Sequence, residues 1–380
     1  MNINDFRTKI DEVDRKFVDI FAERMRLCGE VGLYKKENRR VIFDPIRERS
    51  KITEIANLAP KEIEEYTRLL YSVIFELSRS YQNRLVGNGT ALTEKITNAI
   101  ETTPNLFPQT AFVACQGVEG ANSQIACDRI FKNANILFFS TFDAVFSAIE
   151  QGLCQYGIIP VENSTAGTVN TVYDLMMKHE FYVVRSVRQK IDHNLLAIPG
   201  TKIGDLKEIY SHQQAISQCA EFLKTIPGVK IIPCENTAVA AKMVAKSGRK
   251  DVAALSSRLC TKYYALECLK SSVQDQDNNY TRFICISKDL EIYPGADRTS
   301  LMLMLPHAAG SLYKFLSRLY TFGINLNKLE SRPVPEREFE FMFYFDLDTP
   351  VYSPQLLQML GELPSACEEF HYLGSYNEII

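Results

Sequence analysis

From Asn4 to about Lys36 the chain has no proline and no glycine except Gly29 and Gly32, while apolar residues recur at positions 6, 10, 13, 17, 20, 27, 31 and 34. Steps alternating between four and three describe a long helix whose seam packs against other helices. The same series passes through Arg24, and a guanidinium on such a seam requires a partner or a ligand. Lys35 follows eleven residues later, about 20° around the helix, so the two cations share a side. Asp44-Pro45 reads as an N-cap followed by proline at the first helical position, opening a second helix with Arg47 and Glu48 in its first turns. A third helix is expected from about Pro60 to Leu85. Its seam is Ile63, Tyr66, Leu70, Val73, Leu77 and Tyr81, and Ser78 and Gln82 stand one turn apart on a neighbouring face.

At 380 residues the chain exceeds a single core, so a multidomain fold is expected. Residues 1–87 form the helical domain. Gly87-Asn88-Gly89, Pro104 and Pro108 mark a linker over 88–109, with a short amphipathic helix from Leu92 to Glu101. Over 110–288 strand and helix alternate. Ala111–Cys115 is a strand leading into Gly117-Val118-Glu119-Gly120-Ala121-Asn122-Ser123, a spacing that fits neither phosphate-loop fingerprint. Tyr156–Ile159 is a strand that runs into Pro160-Val161-Glu162-Asn163-Ser164-Thr165-Ala166-Gly167 and then a helix from Thr168 to Lys178. Such a turn offers free backbone N–H groups to an anionic ligand. Tyr182–Ile198 reads as one long strand that crosses between two lobes. Similar polar junctions follow at Ser211-His212-Gln213-Gln214, at Glu235-Asn236-Thr237 and at Ser256-Ser257, and Thr281–Ser287 closes the domain as a strand. Four polar strand ends place a crevice at the carboxyl edge of α/β sheets. Residues 297–376 change to β-α-β-β-α-β order, the ferredoxin-like split motif, with a strand beginning at Phe339.

Composition is that of a globular protein, with 46% hydrophobic and 23% charged residues. A formal net charge of −3 provides no basic field for nucleic acid or an anionic membrane. The cations are concentrated between Lys35 and Lys51, where they could attract a small dianion. The N-terminal residues have no signal-peptide pattern and no run approaches a membrane span, so a cytoplasmic protein is expected. The ten cysteines include no Cys-x-x-Cys pair and mostly lie in apolar segments, which suits buried thiols. The five histidines lack metal-ligand spacing, and no metal or cofactor is expected.

Phe6-Arg7, Ala22-Glu23-Arg24, Glu30-Val31-Gly32 with Lys35, and Arg47-Glu48-Arg49 resemble the all-α chorismate mutase domain fused to many prephenate dehydratases. The resemblance implies a site made of Arg7, Arg24, Lys35, Asp44, Arg47, Glu48, Ser78 and Gln82. The arginines would clamp carboxylates, Lys35 and Gln82 would donate to the ether oxygen, and Glu48 would accept from the ring hydroxyl. Arg7 and Arg24 are 17 positions apart, about 25 Å along one helix. One small ligand cannot meet both on the same chain, and the family's intertwined homodimer, or a dimer of dimers, would bring Arg7 from a partner.

The turn at 160–167, Asn279-Tyr280-Thr281-Arg282-Phe283 and Glu330-Ser331-Arg332-Pro333 together resemble the prephenate dehydratase family with its amino-acid-sensing ACT domain. This implies a two-lobed, periplasmic-binding-protein-like α/β domain with prephenate between the lobes. Ser123, Asn163, Ser164, Gln214, Glu235 and Arg282 would bind it, Arg282 as a carboxylate anchor. Thr281 would hydrogen-bond the departing hydroxyl, and Glu162, if burial raises its pKa, is the rival proton source. Gly310, Ser311 and Leu312 with Glu330, Ser331 and Arg332 would take phenylalanine as effector. Two further readings stand beside this one. The chain could be a non-catalytic amino-acid sensor, or a dehydratase whose helical domain only dimerises.

Overall fold

The computed structural model describes residues 2–86, 91–335, 337, 340–365 and 367–380. The chain divides into two compact units, one comprising residues up to 94 with 358–366, the other 95–357 with 367–380. Among the described residues no helix is long and apolar enough to cross a membrane.

The helical unit contains α1 (Ile3–Glu37), α2 (Pro45–Leu58) and α3 (Glu64–Val86). Asn2 and Asp5 cap α1 reciprocally, and Asp44 caps α2 through the Arg47 amide ahead of a first-turn proline. A short 3₁₀ turn at 61–63 precedes α3. The break expected at Gly87-Asn88-Gly89 lies outside the described residues. Gly29 and Gly32 are the buried residues of α1. A Cβ at Gly32 would lie 2.9 Å from Gln82 Cγ and 3.3 Å from its Cα, so the missing side chain is what lets α3 lie against α1 there. Further along the seam Ile10 is 57% and Phe17 49% exposed.

After α4 (Ala91–Thr102) come β1 (Thr110–Gln116), α5 (Asn122–Ile130), β2 (Asn133–Phe139), α6 (Phe142–Glu150), β3 (Tyr156–Asn163), β4 (Gly167–Thr168), α7 (Asn170–Met176) and β5 (Tyr182–Lys190), which form a first lobe. A second lobe holds β6 (Asn194–Ala197), β7 (Glu208–His212), α8 (Gln213–Gln218), α9 (Ala220–Lys224), β8 (Lys230–Cys234), α10 (Thr237–Ser247), β9 (Val252–Ser256), α11 (Cys260–Tyr264) and β10 (Glu267–Lys270). The chain then returns through β11 (Tyr280–Ser287) to the first sheet, between β5 and β3. The second sheet has the order β10-β6-β9-β7-β8. The single strand expected over 182–198 is therefore two strands in different sheets. Ile191-Asp192-His193 interrupts it; the His193 backbone amide donates to Gln274, and Asn194 Oδ1 accepts from the Ser272 amide, both on the return crossing.

β12 (Arg298–Met304), α12 (Ser311–Thr321), β13 (Asn325–Pro333), β14 (Phe341–Asp348), α13 (Pro354–Glu362) and β15 (Glu369–Tyr376) follow, with an antiparallel sheet in the order β13-β14-β12-β15. Phe339, where a strand was expected to begin, lies outside the described residues. Met302, Met304, Met342, Tyr344 and Leu373 of this sheet share a core with Val145, Ile149, Ile159 and Tyr173 of the first lobe. At Gly374, where φ is 130°, a Cβ would meet the Val183 carbonyl at 2.4 Å, so only glycine lets β15 approach β5 this closely. The terminal β16 (Glu378–Ile379), absent from the sequence expectation, extends the first sheet beside β5. The described cysteines are free thiols, buried or half-buried.

Two candidate active sites

In the helical unit the Arg24 guanidinium donates to Ser78 Oγ at 2.6 Å and lies over the Phe75 ring, 5.3 Å from its centre. Ser78 sends its own hydrogen to the Ile74 carbonyl, so its lone pairs face Arg24. One turn on, Gln82 is buried and its Oε1 has no partner among the described residues. Lys35 Nζ reaches the Ile42 carbonyl at 2.5 Å, at the approach to α2. Glu48 forms a largely buried ion pair with Arg79, whose guanidinium stacks over Phe43. Arg79 was missed by the sequence reasoning, although it sits directly after Ser78. Arg47 is exposed, and Asp44 acts through its carboxylate on the Arg47 amide. Arg7 is exposed near the start of α1, where it donates to Asn4 at 3.5 Å, and does not join this group.

In the two-lobed domain a cavity of about 400 Å³ opens where β1, β3, β7 and β8 end. Ser123, Asn163, Gln214, Glu235 and Thr281 line it together with the first residues of α5 and α10. Asn163 Oδ1 accepts the backbone amides of Thr165 and Ala166 at 3.1 and 2.9 Å, which fixes the orientation of its amide. Its Nδ2 then donates to Thr281 Oγ1 at 2.9 Å. Among the described residues no acceptor takes the Thr281 hydrogen, so that hydroxyl is left to donate into the cavity. Ser123 Oγ donates to the Gln116 carbonyl at 2.6 Å and can only accept from a ligand. His193 and His212 also line the cavity. Burial pulls the His193 pKa below the usual range, against a hydrogen bond to Gln218 that raises it.

Four expectations are corrected. Arg282 does not face the cavity: strand alternation turns Thr281 inward and Arg282 to the opposite face, where it is paired with Asp346 of β14 and lies 2.9 Å from Glu378. Burial opposes its charge, but Tyr376, Asp346 and Tyr344 outweigh that and hold its pKa well above the ordinary value. Glu162 points away from Asn163 and is ion-paired with Lys328 at 3.0 Å, its side chain 40% exposed, so it lacks the burial that a proton source here would need. Ser164 bridges Asn278 and Tyr280 rather than lining the cavity. The Ser256-Ser257 junction is also outside it, with Ser257 holding the Gly120 carbonyl at 2.6 Å. The lining includes no lysine or arginine among the described residues.

On β13, Glu330 accepts from Thr168 at 2.7 Å and Arg332 forms a two-pronged ion pair with Asp174, at 2.9 and 3.0 Å. Both side chains are therefore engaged with the first lobe, and Ser331 between them is exposed. Gly310 adopts a left-handed conformation, φ 82°, at the start of α12, directly before Ser311 and Leu312.

The family models of prephenate dehydratase and of chorismate mutase type II match residues 113–291 and 6–83. A bifunctional chorismate mutase/prephenate dehydratase of Buchnera aphidicola is 30% identical over 382 residues, covering 98% of this chain and 95% of its own length. A prephenate dehydratase of Arthrobacter aurescens, solved in complex with L-Phe, superposes with a TM-score of 0.65 at 25% identity, over 70% of this chain and 90% of that one. A structure described as a novel type of quorum quenching acylase, GqqA, gives 0.64 at 31% identity over 70% and 97%. With two catalytic domains matched in the same order along nearly its whole length, the chain belongs to the family of bifunctional chorismate mutase/prephenate dehydratases.

Proposed function

We propose that the helical unit, residues 1–87, converts chorismate to prephenate, and that the two-lobed domain, residues 110–288, converts prephenate to phenylpyruvate, carbon dioxide and water. The rearrangement of chorismate moves no proton and uses no nucleophile. The protein holds the compact conformer and stabilises charge on the ether oxygen. Arg24, oriented by Ser78, and Arg47 take carboxylates, while Lys35 and Gln82 donate to the ether oxygen. The buried amide oxygen of Gln82, without a partner among the described residues, is open to a donor on the ligand, and its Nε2 is the group that donates to the ether oxygen. Glu48, steadied by Arg79, accepts from the ring hydroxyl. Arg7, about 25 Å along α1, serves the site of a partner chain in a homodimer or dimer of dimers, and the exposed apolar seam of α1 supports this.

The second reaction is carried by one observation. Thr281 receives a hydrogen bond from Asn163 and keeps its own hydrogen for the cavity. Prephenate loses its ring carboxylate as carbon dioxide while the electron pair moves into the ring and expels the hydroxyl, which leaves as water after protonation. Thr281 donates to that oxygen as charge builds on it. With no lysine or arginine among the described residues of the lining, the starts of α5 and α10 offer amide N–H groups to the side-chain carboxylate. Ser123 accepts, and Gln214 and Glu235 complete the polar wall.

Residues 297–376 act as a ferredoxin-like ACT domain with phenylalanine as effector, received at Gly310, Ser311, Leu312 and Ser331. Glu330 and Arg332 relay to Thr168 and Asp174. The enzyme works in the cytoplasm without metal or cofactor. Chorismate added to the purified protein tests the reading: prephenate should appear first and phenylpyruvate after it. Chorismate left unconsumed, or prephenate that persists, would overturn the corresponding half.

A further inference from the structure

Four side chains beside the cavity form a closed ring of hydrogen bonds running in one sense. Asn163 Nδ2 donates to Asn279 Oδ1 at 2.7 Å, Asn279 Nδ2 to Gln218 Oε1 at 3.0 Å, Gln218 Nε2 to Thr165 Oγ1 at 2.6 Å, and Thr165 Oγ1 to Asn163 Oδ1 at 2.7 Å. The ring spans both lobes, with Asn163 and Thr165 from the end of β3, Gln218 from the end of α8 and Asn279 from the return crossing.

Its sense is set at one point and passed on to a second. The backbone amides of Thr165 and Ala166, which cannot reverse, point at Asn163 Oδ1. At the far side His193 Nε2 lies 2.9 Å from Gln218 Oε1. That oxygen already accepts from Asn279, so His193 must carry its hydrogen on Nε2. A reversed Gln218 would set its NH₂ against two donors. A reversed Asn163 would set an acceptor against Thr281 and draw the Thr281 hydrogen away from the cavity.

Resting on the dehydratase reading above, we propose that Thr165 and His193 are positioning residues for the dehydration. Neither supplies the group that meets the departing hydroxyl. They hold the ring in the one sense that leaves the Thr281 hydrogen free for it. Thr165 is the only hydroxyl in the ring and the only member that passes a hydrogen bond on through a single atom, taking from Gln218 and giving to Asn163. Valine there removes both bonds at nearly constant shape, whereas serine keeps both.

The test is steady-state dehydratase kinetics on the full chain with prephenate as substrate, with chorismate disappearance as a control in the same preparation. T165V should lower kcat about tenfold, the cost of one such bond in the transition state, with little change in KM. T165S should restore most of the rate. His193→Leu should act in the same direction, and His193→Gln, which keeps an N–H donor, should be milder. Wild-type kcat in T165V would overturn the inference, as would T165S no better than T165V. If T165V fails to fold, shown by a lost thermal transition, the pair of His193 variants decides: equal kcat values overturn the inference and His193→Gln above His193→Leu supports it. Wild-type protein without dehydratase activity would instead sink the functional reading itself, and this inference with it.

Discussion

Thr281 and Arg282 are neighbours on β11 and face opposite ways. Arg282 is nine-tenths buried among Asp346, Glu378 and Tyr376, so its replacement by methionine leaves the buried Asp346 carboxylate without its cation, while Glu378 keeps Arg188. Such a break costs roughly 3 kcal/mol or more. R282M should lower the unfolding midpoint in denaturant while KM for prephenate stays near wild type. A large rise in KM with unchanged stability would return Arg282 to the substrate. Glu162 makes the complementary case. With its carboxylate on Lys328, E162Q should leave the acid side of the kcat–pH profile superposable on wild type, and loss of that limb would restore it as a proton source. The sequence shows the alternation but not which face is the cavity. That depends on Asp346, 64 positions downstream of Arg282, and no local pattern carries it. The hydrogen-bond ring is illegible for the same reason, since Gln218 and His193 look like an ordinary helix glutamine and a strand-end histidine until the crossing strands bring them together.

The elements themselves were more legible, because caps and periodicity are local. Asp44-Pro45 opens α2 as expected, and the spacing of apolar residues foretells α1 and α3. Tyr182–Ile198 misled because β-branched residues continue across a change of sheet, and only the polar triad at 192–194 marks the crossing. Gly32 shows how an element's packing overrides its propensity. Alanine would favour an isolated helix by about 0.5–1 kcal/mol, yet its Cβ would press on Gln82 backbone and side chain alike. Overpacking of this kind costs about 1–3 kcal/mol. G32A should therefore destabilise the helical unit and reduce chorismate turnover by displacing Gln82, with prephenate turnover unchanged. Greater stability with full chorismate turnover would show that α3 simply moves aside.

For the molecule as a whole, the helical unit and the two-lobed domain each have their own polar inventory, and neither inventory is needed by a sensor or a simple dimerisation arm. The proposed shared mutase site sets the exposed seam of α1, with Phe6, Ile10 and Phe17 each about half uncovered, against a partner chain and brings Arg7 to the Arg24 of that partner. R7A and R24A chains, each inactive as a mutase alone, should regain chorismate turnover when mixed as heterodimers, through the one site per dimer that keeps both arginines. No recovery would place both arginines in separate roles. The most direct test of two separable chemistries on one chain is to give chorismate to the T281V protein and follow each product. Chorismate should disappear at the wild-type rate and prephenate accumulate, with phenylpyruvate formation slowed at least about a hundredfold, as for loss of a donor to developing charge. Phenylpyruvate appearing at the wild-type rate, or chorismate consumption falling in parallel, would contradict the account.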